Sequence, residues 1–542
     1  MSETNNNGTE SGTGAPGWEV EVPVQELDQS CRTPVLFLLG KAAGWLFLGT
    51  LLAFFNSVRF HAPDLLAHCP WLTYGRVGPA ASTAFVYGFA LQAAFAVAIW
   101  LVVRLSKSVL VLPGYLTVAA GFWNLGVMVG FVGILAGDAT SYALFEIPKY
   151  ATPILFVAYT IIGGLTLVTF QRRQVKELYV SQWFLLTALL WFPWILSTAA
   201  LLLQYYPVRG VVQVVVAGWY ATGLLTLVLG GVGLAAIFYL LPKLLNKPLH
   251  SHYLAVFSFW LLVFFGGGAG ILSGTTVPAW VSGLSAAFSF FVCFATLMVA
   301  LNWYETIGGS MSRLFDSEFR FLSVGMISFI LLGLLSTLNA YSGITELTQF
   351  TLVIPAIQQL ALVGFISMSL FAVAYHLLPR LLGSAGLNPR LINGHFWLTV
   401  VGLVLTAGVL GLGGLIQGQT MNDASVPFSA VTKSALNFMR IETVGSLLLL
   451  GGGLLFFINI SRSVCQALCC GDGGLLSCIQ GSESGDVAVS GAVAANSSSS
   501  SSSPAAKKAP RKAAKKAPAK KKAAKKATVA KKKQAKKAAK KS

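Results

Sequence analysis

Long apolar segments recur along the chain and limit it to folds that lie inside a lipid bilayer. A helix needs about 20 apolar residues to cross a hydrocarbon core of roughly 30 Å. Lipid offers the backbone no hydrogen-bond partners, so spanning segments must be helices or closed barrels. The length and spacing of the segments predict an all-α integral membrane protein. We place twelve spans, centred near residues 46, 92, 125, 161, 193, 226, 263, 290, 330, 366, 406 and 449.

The charge of the chain is distributed very unevenly. Only 11% of the 542 residues are charged and the formal net charge is +19, whereas soluble domains carry about 25% charged residues. The stretch from Lys507 to Lys541 alone holds 17 lysines and one arginine, with no acidic residue. Without those 18 cations, 20 basic residues stand against 19 acidic ones, so the membrane body is nearly neutral.

Composition divides the chain into four predicted regions. Residues 1–34 form a polar N-terminal segment without the apolar core of a cleavable signal peptide. Residues 35–460 form the twelve-helix membrane domain. Residues 461–503 are a linker rich in Cys, Gly and Ser, and residues 504–542 are a Lys/Ala-rich tail that we expect to be disordered. The seven cysteines show no spacing typical of a disulfide framework or a zinc site.

The basic residues of the loops predict the orientation of the bundle. With the N-terminus inside, the cytoplasmic loops hold eleven Lys and Arg residues and the opposite loops hold five. Cytoplasmic loops carry the excess of positive charge in membrane proteins. We therefore expect both termini to lie in the cytoplasm.

The basic tail has two candidate partners. Each lysine near an anionic bilayer contributes about 1 kcal/mol of attraction, and the same charges bind DNA or RNA by releasing counterions. The tail has no aromatic residue to stack on bases, so we expect no reading of nucleic-acid sequence. Anionic lipid and nucleic acid both stay open as partners. The basic residues in its first half are Lys507, Lys508, Arg511, Lys512, Lys515, Lys516, Lys520, Lys521 and Lys522.

Few polar side chains lie in the middle of the predicted spans. Lys41 is the one charge well inside a span, and no Asp or Glu falls near the middle of a helix, which argues against an ion-coupled transporter. Gln358 and Gln359 form the most polar mid-helix pair. We expect them either to bond to a neighbouring helix or to donate hydrogen bonds to a ligand in a cavity.

Histidine is the usual protein ligand of haem iron and copper, and none is expected at mid-membrane here. The six histidines are His61, His68, His250, His252, His376 and His395. The first four fall in loops, and the last two fall at the inner ends of the tenth and eleventh predicted helices. From these positions alone, the sequence predicts no redox site within the membrane.

Several segments nevertheless resemble a known family. The stretch "WLTYGRVGPAASTAF" at 71–85 is similar to the segment that opens the second helix of subunit I in cbb(3)-type cytochrome c oxidases, which belong to the haem–copper oxidase superfamily. The resemblance covers about residues 35–460 and implies a subunit I-like bundle of twelve helices in a bacterial-type inner membrane. Further segments match in the family's order: "YVSQWFLLTALLWFPWILSTA" (179–199), "YYPVRGVVQVVVAGWYATG" (205–223), "IFYLLPKLLNKPLHSHYLAVFSFW" (237–260), "VPAW" (277–280) and "FAVAYHLLPRL" (371–381).

The family holds a low-spin haem b, a high-spin haem and a copper ion with six histidines, and it reduces oxygen with electrons from cytochrome c. This chain carries other residues at all six matched positions. They are Ala81 for the low-spin haem, Thr222, Gly270 and Ile271 for copper, and Ile357 and Gln359 for the pair that serves both haems. One acid that the family has before an Ile-Pro pair is matched by Glu146.

The substituted residues make poor metal ligands. Alanine, glycine and isoleucine have no donor atom, and the neutral oxygens of threonine and glutamine suit haem iron and copper poorly. We therefore expect no haem or copper in this chain, and a structural or regulatory role beside other subunits of a respiratory oxidase. Two alternatives stay open: an active terminal oxidase subunit with replacement ligands, and a membrane anchor that tethers nucleic acid or anionic lipid through its tail.

Overall fold

The computed structural model describes residues 22–65, 68–309, 316–383 and 386–469. The basic tail and most of the Cys-rich linker lie outside these residues, so the predictions for Lys507 to Lys522 stay predictions. The helices of the described part, short 3-10 turns aside, are α1 Val24–Val58, α2 Tyr74–Ser106, α3 Pro113–Ala136, α4 Thr152–Gln171, α5 Val180–Tyr205, α6 Val211–Leu245, α7 His252–Phe265, α8 Ala279–Ile307, α9 Ser317–Asn339, α10 Ser342–Thr348, α11 Val353–Leu382, α12 Pro389–Met421 and α13 Phe428–Cys469.

Eleven helices of the described chain are long and apolar enough to cross a membrane, which confirms the prediction of an all-α integral membrane protein. The predicted span near residue 263 is different. There α7 has 14 residues, and at 1.5 Å per residue it is about 21 Å long, shorter than a hydrocarbon core. The helix ends before three consecutive glycines, 266–268, and Gly270 follows with a left-handed φ of +96°. The prediction of a full-length span here was wrong, because glycine readily leaves the helical conformation.

The helices α2, α6 and α11 form the interior of the bundle. The apolar stretch of α2 is 100% buried and that of α11 is 94% buried, whereas that of α8 is only 28% buried. A helix that is apolar on all sides suits such a fully enclosed position. These three interior helices carry Ala81, Thr222 and Gln359, one matched position or more on each.

Each interior helix widens into a π-helical segment shortly after its matched position. The segments are Ala84–Ala90 in α2, Leu224–Leu229 in α6 and Leu360–Ser367 in α11. A π-helical turn has i→i+5 hydrogen bonds and occurs frequently at functional sites. Two further segments, Ala200–Tyr205 in α5 and Val404–Gly408 in α12, have the same geometry in helices without a matched position, so π-helical turns are a general feature of the described bundle.

A chain of polar side chains links α1, α2 and α3. The Trp45 indole N–H of α1 donates to Asn124 Oδ1 of α3 at 3.1 Å, and Asn124 Nδ2 donates to Gln92 Oε1 of α2 at 2.9 Å. Gln92 Nε2 in turn donates to the carbonyl oxygen of Gly88 at 2.7 Å. In lipid an unpaired amide is costly, so this chain of bonds fixes how α1, α2 and α3 meet.

Candidate functional site

A cavity of about 400 Å³ lies between α1, α2, α11, α12 and α13. Ala81 of α2 and Gln359 of α11 both line it. Beside it α1 and α2 approach closely, since a Cβ built on Gly49 would lie 3.1 Å from the backbone nitrogen of Phe85. Small residues at helix contacts are typical of membrane bundles. The fold thus brings together two positions that the resemblance assigns to haem ligands.

Gln358 and Gln359 are both on the wall of this cavity. Neither side-chain amide has a hydrogen-bond partner among the described residues. Each amide offers two N–H donors and one carbonyl acceptor. The sequence left open whether the pair bonds to a neighbouring helix or donates to a ligand in a cavity, and a role toward a ligand stays a prediction. These groups can be satisfied only by water or by a ligand.

One histidine reaches the cavity, which the sequence did not lead us to expect. His395 lies in the second turn of α12, is 1% exposed and lines the cavity. Its Nδ1 is 2.8 Å from the hydroxyl oxygen of Tyr375 on α11. His376 is placed differently, with its Nδ1 3.7 Å from Glu318 Oε1. His395 lies near one end of its helix, as the sequence predicts, but its side chain is buried inside the bundle.

Side chains of α1 and α13 make another part of the cavity wall polar. The Ser57 hydroxyl donates a hydrogen bond to the Glu442 carboxylate, and Ser57 Oγ is also 2.6 Å from Thr443 Oγ1. Glu442 is the one carboxylate among the described lining residues, and none of those residues is Lys or Arg. The wall therefore has hydrogen-bonding groups but no positive charge.

The positions matched to copper ligands also lie together. A Cβ built on Gly270 would lie 3.0 Å from Thr222 Oγ1, so the segment after α7 touches α6 at this point. Ile271 is beside the same helix, with its Cγ1 3.8 Å from a Cβ built on Gly218, and its N–H donates to Ser285 Oγ at 2.9 Å. Ile357 lies on α11, two residues before Gln359, and does not line the cavity.

The donor atoms at the matched positions do not fit the metals of the family. Ala81 presents a methyl group, Gln359 an amide, Thr222 a hydroxyl, and Gly270 no side chain at all, whereas haem iron and copper favour imidazole nitrogen. No group of three or more His, Cys, Asp or Glu within the described ranges is arranged to hold a metal ion. His395 is the one imidazole that the described cavity wall offers.

Glu146 lies next to the cavity, behind Ser82. The Ser82 hydroxyl donates to Glu146 Oε1 at 3.0 Å, and the Leu144 N–H donates to the same oxygen at 3.2 Å. The second oxygen, Oε2, is buried and has no partner in the described part of the chain. Loss of hydration raises the pKa of Glu146 from 4.5 to about 7. The residue matched to a family acid is therefore poised to change its charge near neutral pH.

Comparisons with known proteins agree with the geometry. The family model described as "Cytochrome C and Quinol oxidase polypeptide I" matches residues 33–448. The chain is 26% identical over 432 residues to "Cbb3-type cytochrome c oxidase subunit CcoN1" of Stutzerimonas stutzeri, which covers 77% of this chain and 90% of that protein. It is 25% identical over 465 residues to "Cytochrome c oxidase subunit 1 homolog, bacteroid" of Bradyrhizobium diazoefficiens, which covers 80% of this chain and 82% of the relative.

A solved structure has the same fold. A haem–copper terminal oxidase dimer, determined by cryo-electron microscopy, matches with a TM-score of 0.54 at 14% identity, over 79% of this chain and 84% of its own chain. The family match runs from α1 into α13 and so includes every helix around the cavity. The resemblance found in the sequence is confirmed. The chain belongs to the cytochrome c and quinol oxidase polypeptide I family, as an integral membrane protein like subunit I of the haem–copper oxidases.

Proposed function

We propose that this chain is a metal-free, non-catalytic homologue of subunit I, which serves as a structural or regulatory component of a respiratory oxidase complex in a bacterial-type plasma membrane. The observation that carries the proposal is the pair Ala81 and Gln359. Both line one cavity, at positions where the family has haem ligands, and neither brings an imidazole to it. Haem iron is held by axial protein ligands, and the surrounding groups orient and tune them.

The second group of matched positions supports the same proposal. Thr222, Gly270 and Ile271 together offer one hydroxyl oxygen to a copper ion, because Gly270 and Ile271 have no donor atom in their side chains. Copper in proteins is held by imidazole and sulfur ligands. A chain with these residues keeps the helical bundle of a subunit I but not the ligands that hold its copper ion.

The helical bundle keeps the fold and the exposed apolar surface through which a non-catalytic subunit can pack against other subunits. The relatives are named as subunits of cytochrome c oxidases, and the fold that those subunits share is kept here. The outer helix α8 is mostly exposed and apolar, so it faces either lipid or the helices of another subunit. We propose that the chain occupies the place of a subunit, or regulates its assembly, while another chain performs oxygen reduction.

The alternative proposal is an active terminal oxidase subunit I, which transfers electrons from cytochrome c to oxygen. Family membership favours it, and so does His395, whose imidazole lines the cavity. One imidazole can hold a five-coordinate haem. It cannot replace the three nitrogen ligands of the copper ion, so the first proposal accounts for more of the site.

Two measurements on the full-length chain purified from native membranes test the proposal. Haem and copper content should be far below one per chain, and oxidase subunits should co-purify with the tagged protein. Stoichiometric haem would overturn the metal-free proposal. Purification of the chain alone, from membranes that contain an assembled oxidase, would overturn its role in the complex.

A further inference from the structure

We propose that the cavity between α1, α2, α11, α12 and α13 binds an amphiphilic amine, with its ammonium group beside Glu442 and its apolar chain deeper in the bundle. The inference rests on the proposed function in one respect, since the cavity must be free of haem. It goes beyond that function because it assigns a class of ligand, an organic cation, to this cavity.

The cavity wall carries a carboxylate without a positive partner. Glu442 is the one carboxylate among the described lining residues, and none of those residues is Lys or Arg. The Ser57 hydroxyl donates to Glu442 Oε2, whereas Oε1 accepts no hydrogen bond within the described ranges. A charged group inside a membrane protein is costly unless it is paired. An ammonium group in the cavity would pair with this carboxylate, and an anionic ligand would be repelled by it.

A second hydrogen-bond acceptor lies close to the carboxylate. Asn56 precedes Ser57 in α1 and lines the same cavity, and both Asn56 and Glu442 interact with the side chain of Tyr74. The Asn56 side-chain oxygen is buried and has no hydrogen-bond partner in the described part of the chain. A primary ammonium group has three N–H donors and no acceptor. The unsatisfied atoms of Glu442 and Asn56 are both acceptors, so they match the donors of such a group.

Two aromatic rings lie at the surface end of the cavity. Phe60 and Tyr74 line it, are 42% and 49% exposed, and pack edge to face with their ring centroids 5.3 Å apart. The faces of aromatic rings attract organic cations. The same two residues border a more open hollow at the surface, through which a ligand can enter. Arg59 borders that hollow but does not line the cavity, and its Nη2 donates to the carbonyl oxygen of Leu65 at 2.9 Å.

Away from these polar groups the walls of α1 and α13 become small and apolar. Their lining positions follow helical spacing and form one face on each helix: Ala53, Thr50, Gly49 and Leu46 before Asn56, and Ser446, Leu449 and Gly453 after Glu442. The hydroxyls of Thr50 and Ser446 already donate to carbonyl oxygens of their own helices. At 1.5 Å per residue, the face from Glu442 to Gly453 is about 16 Å long, and the amides of Gln358 and Gln359 would keep water beside an alkyl chain there. The cavity therefore has a charged end and an apolar body, as an amphiphilic cation does.

Titration of the purified full-length chain with octylamine at neutral pH, where a primary amine is protonated, tests the proposal, with binding measured by calorimetry in detergent. Octan-1-ol has the same chain with an uncharged head, and octanoate has the opposite charge. The variant Glu442→Gln removes the charge and keeps an oxygen for Ser57, and Glu305→Gln makes the same change at an exposed residue of α8. Ala81→Leu fills the cavity, and thermal unfolding of each variant checks that it folds.

We expect octylamine to bind the wild-type chain and Glu305→Gln equally, and at least tenfold more tightly than octan-1-ol or octanoate. Glu442→Gln should bind octylamine at least tenfold more weakly, because the charge pair is lost, while its affinity for octan-1-ol stays that of the wild type. Ala81→Leu should show no binding.

Equal affinities of the wild-type chain for octylamine and octan-1-ol would overturn the proposal, since the cavity would then recognise only an apolar chain. So would undiminished octylamine binding by Glu442→Gln, or no binding by the wild type, which is the result expected of a cavity that holds only water. The haem content of the same sample separates the two ideas: haem-free protein that does not bind the amine contradicts this inference alone, whereas stoichiometric haem contradicts the proposed function.

Discussion

Ala81 of α2 and Gln359 of α11 border one cavity of about 400 Å³, although 278 positions separate them in the sequence. Both match haem-ligand positions of the family, and both are followed by a π-helical segment. The two positions therefore meet at one cavity, and neither side chain supplies an imidazole to it. These two positions can therefore be tested by restoring histidine at each of them.

Restoring histidine at both positions should restore haem binding. The double variant Ala81→His with Gln359→His places two imidazoles on the wall of the cavity, and two axial nitrogens give six-coordinate, low-spin haem iron. We expect the purified variant to take up haemin with a low-spin absorption spectrum, and the wild-type chain to show no such spectrum. Absorption spectroscopy during a haemin titration measures both.

A matched control is the variant Ala81→His with Ile357→His. It has the same number of new histidines, but Ile357 lies on α11 off the cavity wall. This control should not form the six-coordinate species. If both double variants gave the same spectrum, or if neither bound haemin, the cavity would not be the former haem site.

The carboxyl group of Glu146 should make the stability of the protein depend on pH. Its pKa in the folded state is about 7, against 4.5 for a free group. The folded chain therefore holds a proton that the unfolded chain releases, and stability falls as the pH rises from about 4.5 to 7. The full loss is on the order of 3 kcal/mol. Thermal unfolding in detergent between pH 4.5 and 8.5 measures it.

The variant Glu146→Gln isolates this effect. It keeps an oxygen for Ser82 and cannot ionise, so its unfolding temperature should change less with pH than that of the wild type. Glu177→Gln, an exposed residue in the loop after α4, is the control and should keep the wild-type profile. A wild-type profile in Glu146→Gln would show that another group carries the pH dependence.

The contact between α1 and α2 beside the cavity should not tolerate an added methyl group. A Cβ on Gly49 would lie 3.1 Å from the backbone nitrogen of Phe85 and 3.4 Å from its Cα, and backbone atoms cannot turn aside. Gly49→Ala should lower the free energy of unfolding by about 1–3 kcal/mol. Gly40→Ala in the same helix has nothing within 4 Å, so it should be neutral or stabilising by up to about 1 kcal/mol. Equal unfolding temperatures for the two variants would contradict this packing.

Hydropathy was enough to predict the membrane fold, but not the length of every helix. The apolar segments became helices because lipid leaves the backbone no other choice. The apolar segment at α7 includes three glycines, 266–268. Glycine is compatible with lipid by hydropathy, but it readily leaves the helical conformation, and the helix ends before them. The shortened helix also leaves Gly270 and Ile271 in irregular backbone, whereas a full-length span centred near residue 263 would have included both.

The cavity could not be predicted from the sequence, whereas the substituted positions could. Motifs identify Ala81 and Gln359 one at a time, but their common cavity depends on how five helices pack. The position of His395 on the cavity wall was missed because a residue near a helix end was taken to lie at the membrane edge. A signal was present: Thr399 follows four residues later and shares a helical face with it, and both line the cavity.

The basic tail should bind anionic membrane surfaces through its charge. A chain that ends at residue 503 should lose several-fold of the binding of the full-length protein to anionic vesicles, and the difference should vanish at high salt, where exposed charges are screened. Flotation with anionic and neutral vesicles measures this. The control is the full chain with every lysine of the tail replaced by glutamine, which should behave like the truncated one. Undiminished flotation of either variant with anionic vesicles would show that the tail adds no attraction for anionic lipid.

The central claim is that this subunit I fold holds no redox metal, and the haem and copper content of the purified full-length chain tests it most directly. Pyridine haemochrome spectra and elemental analysis, each normalised to protein, should give haem and copper values far below one per chain. The variant His395→Ala, measured beside it, should give the same values. One or more haems per wild-type chain, with loss of haem in His395→Ala, would contradict the claim and identify His395 as a replacement ligand.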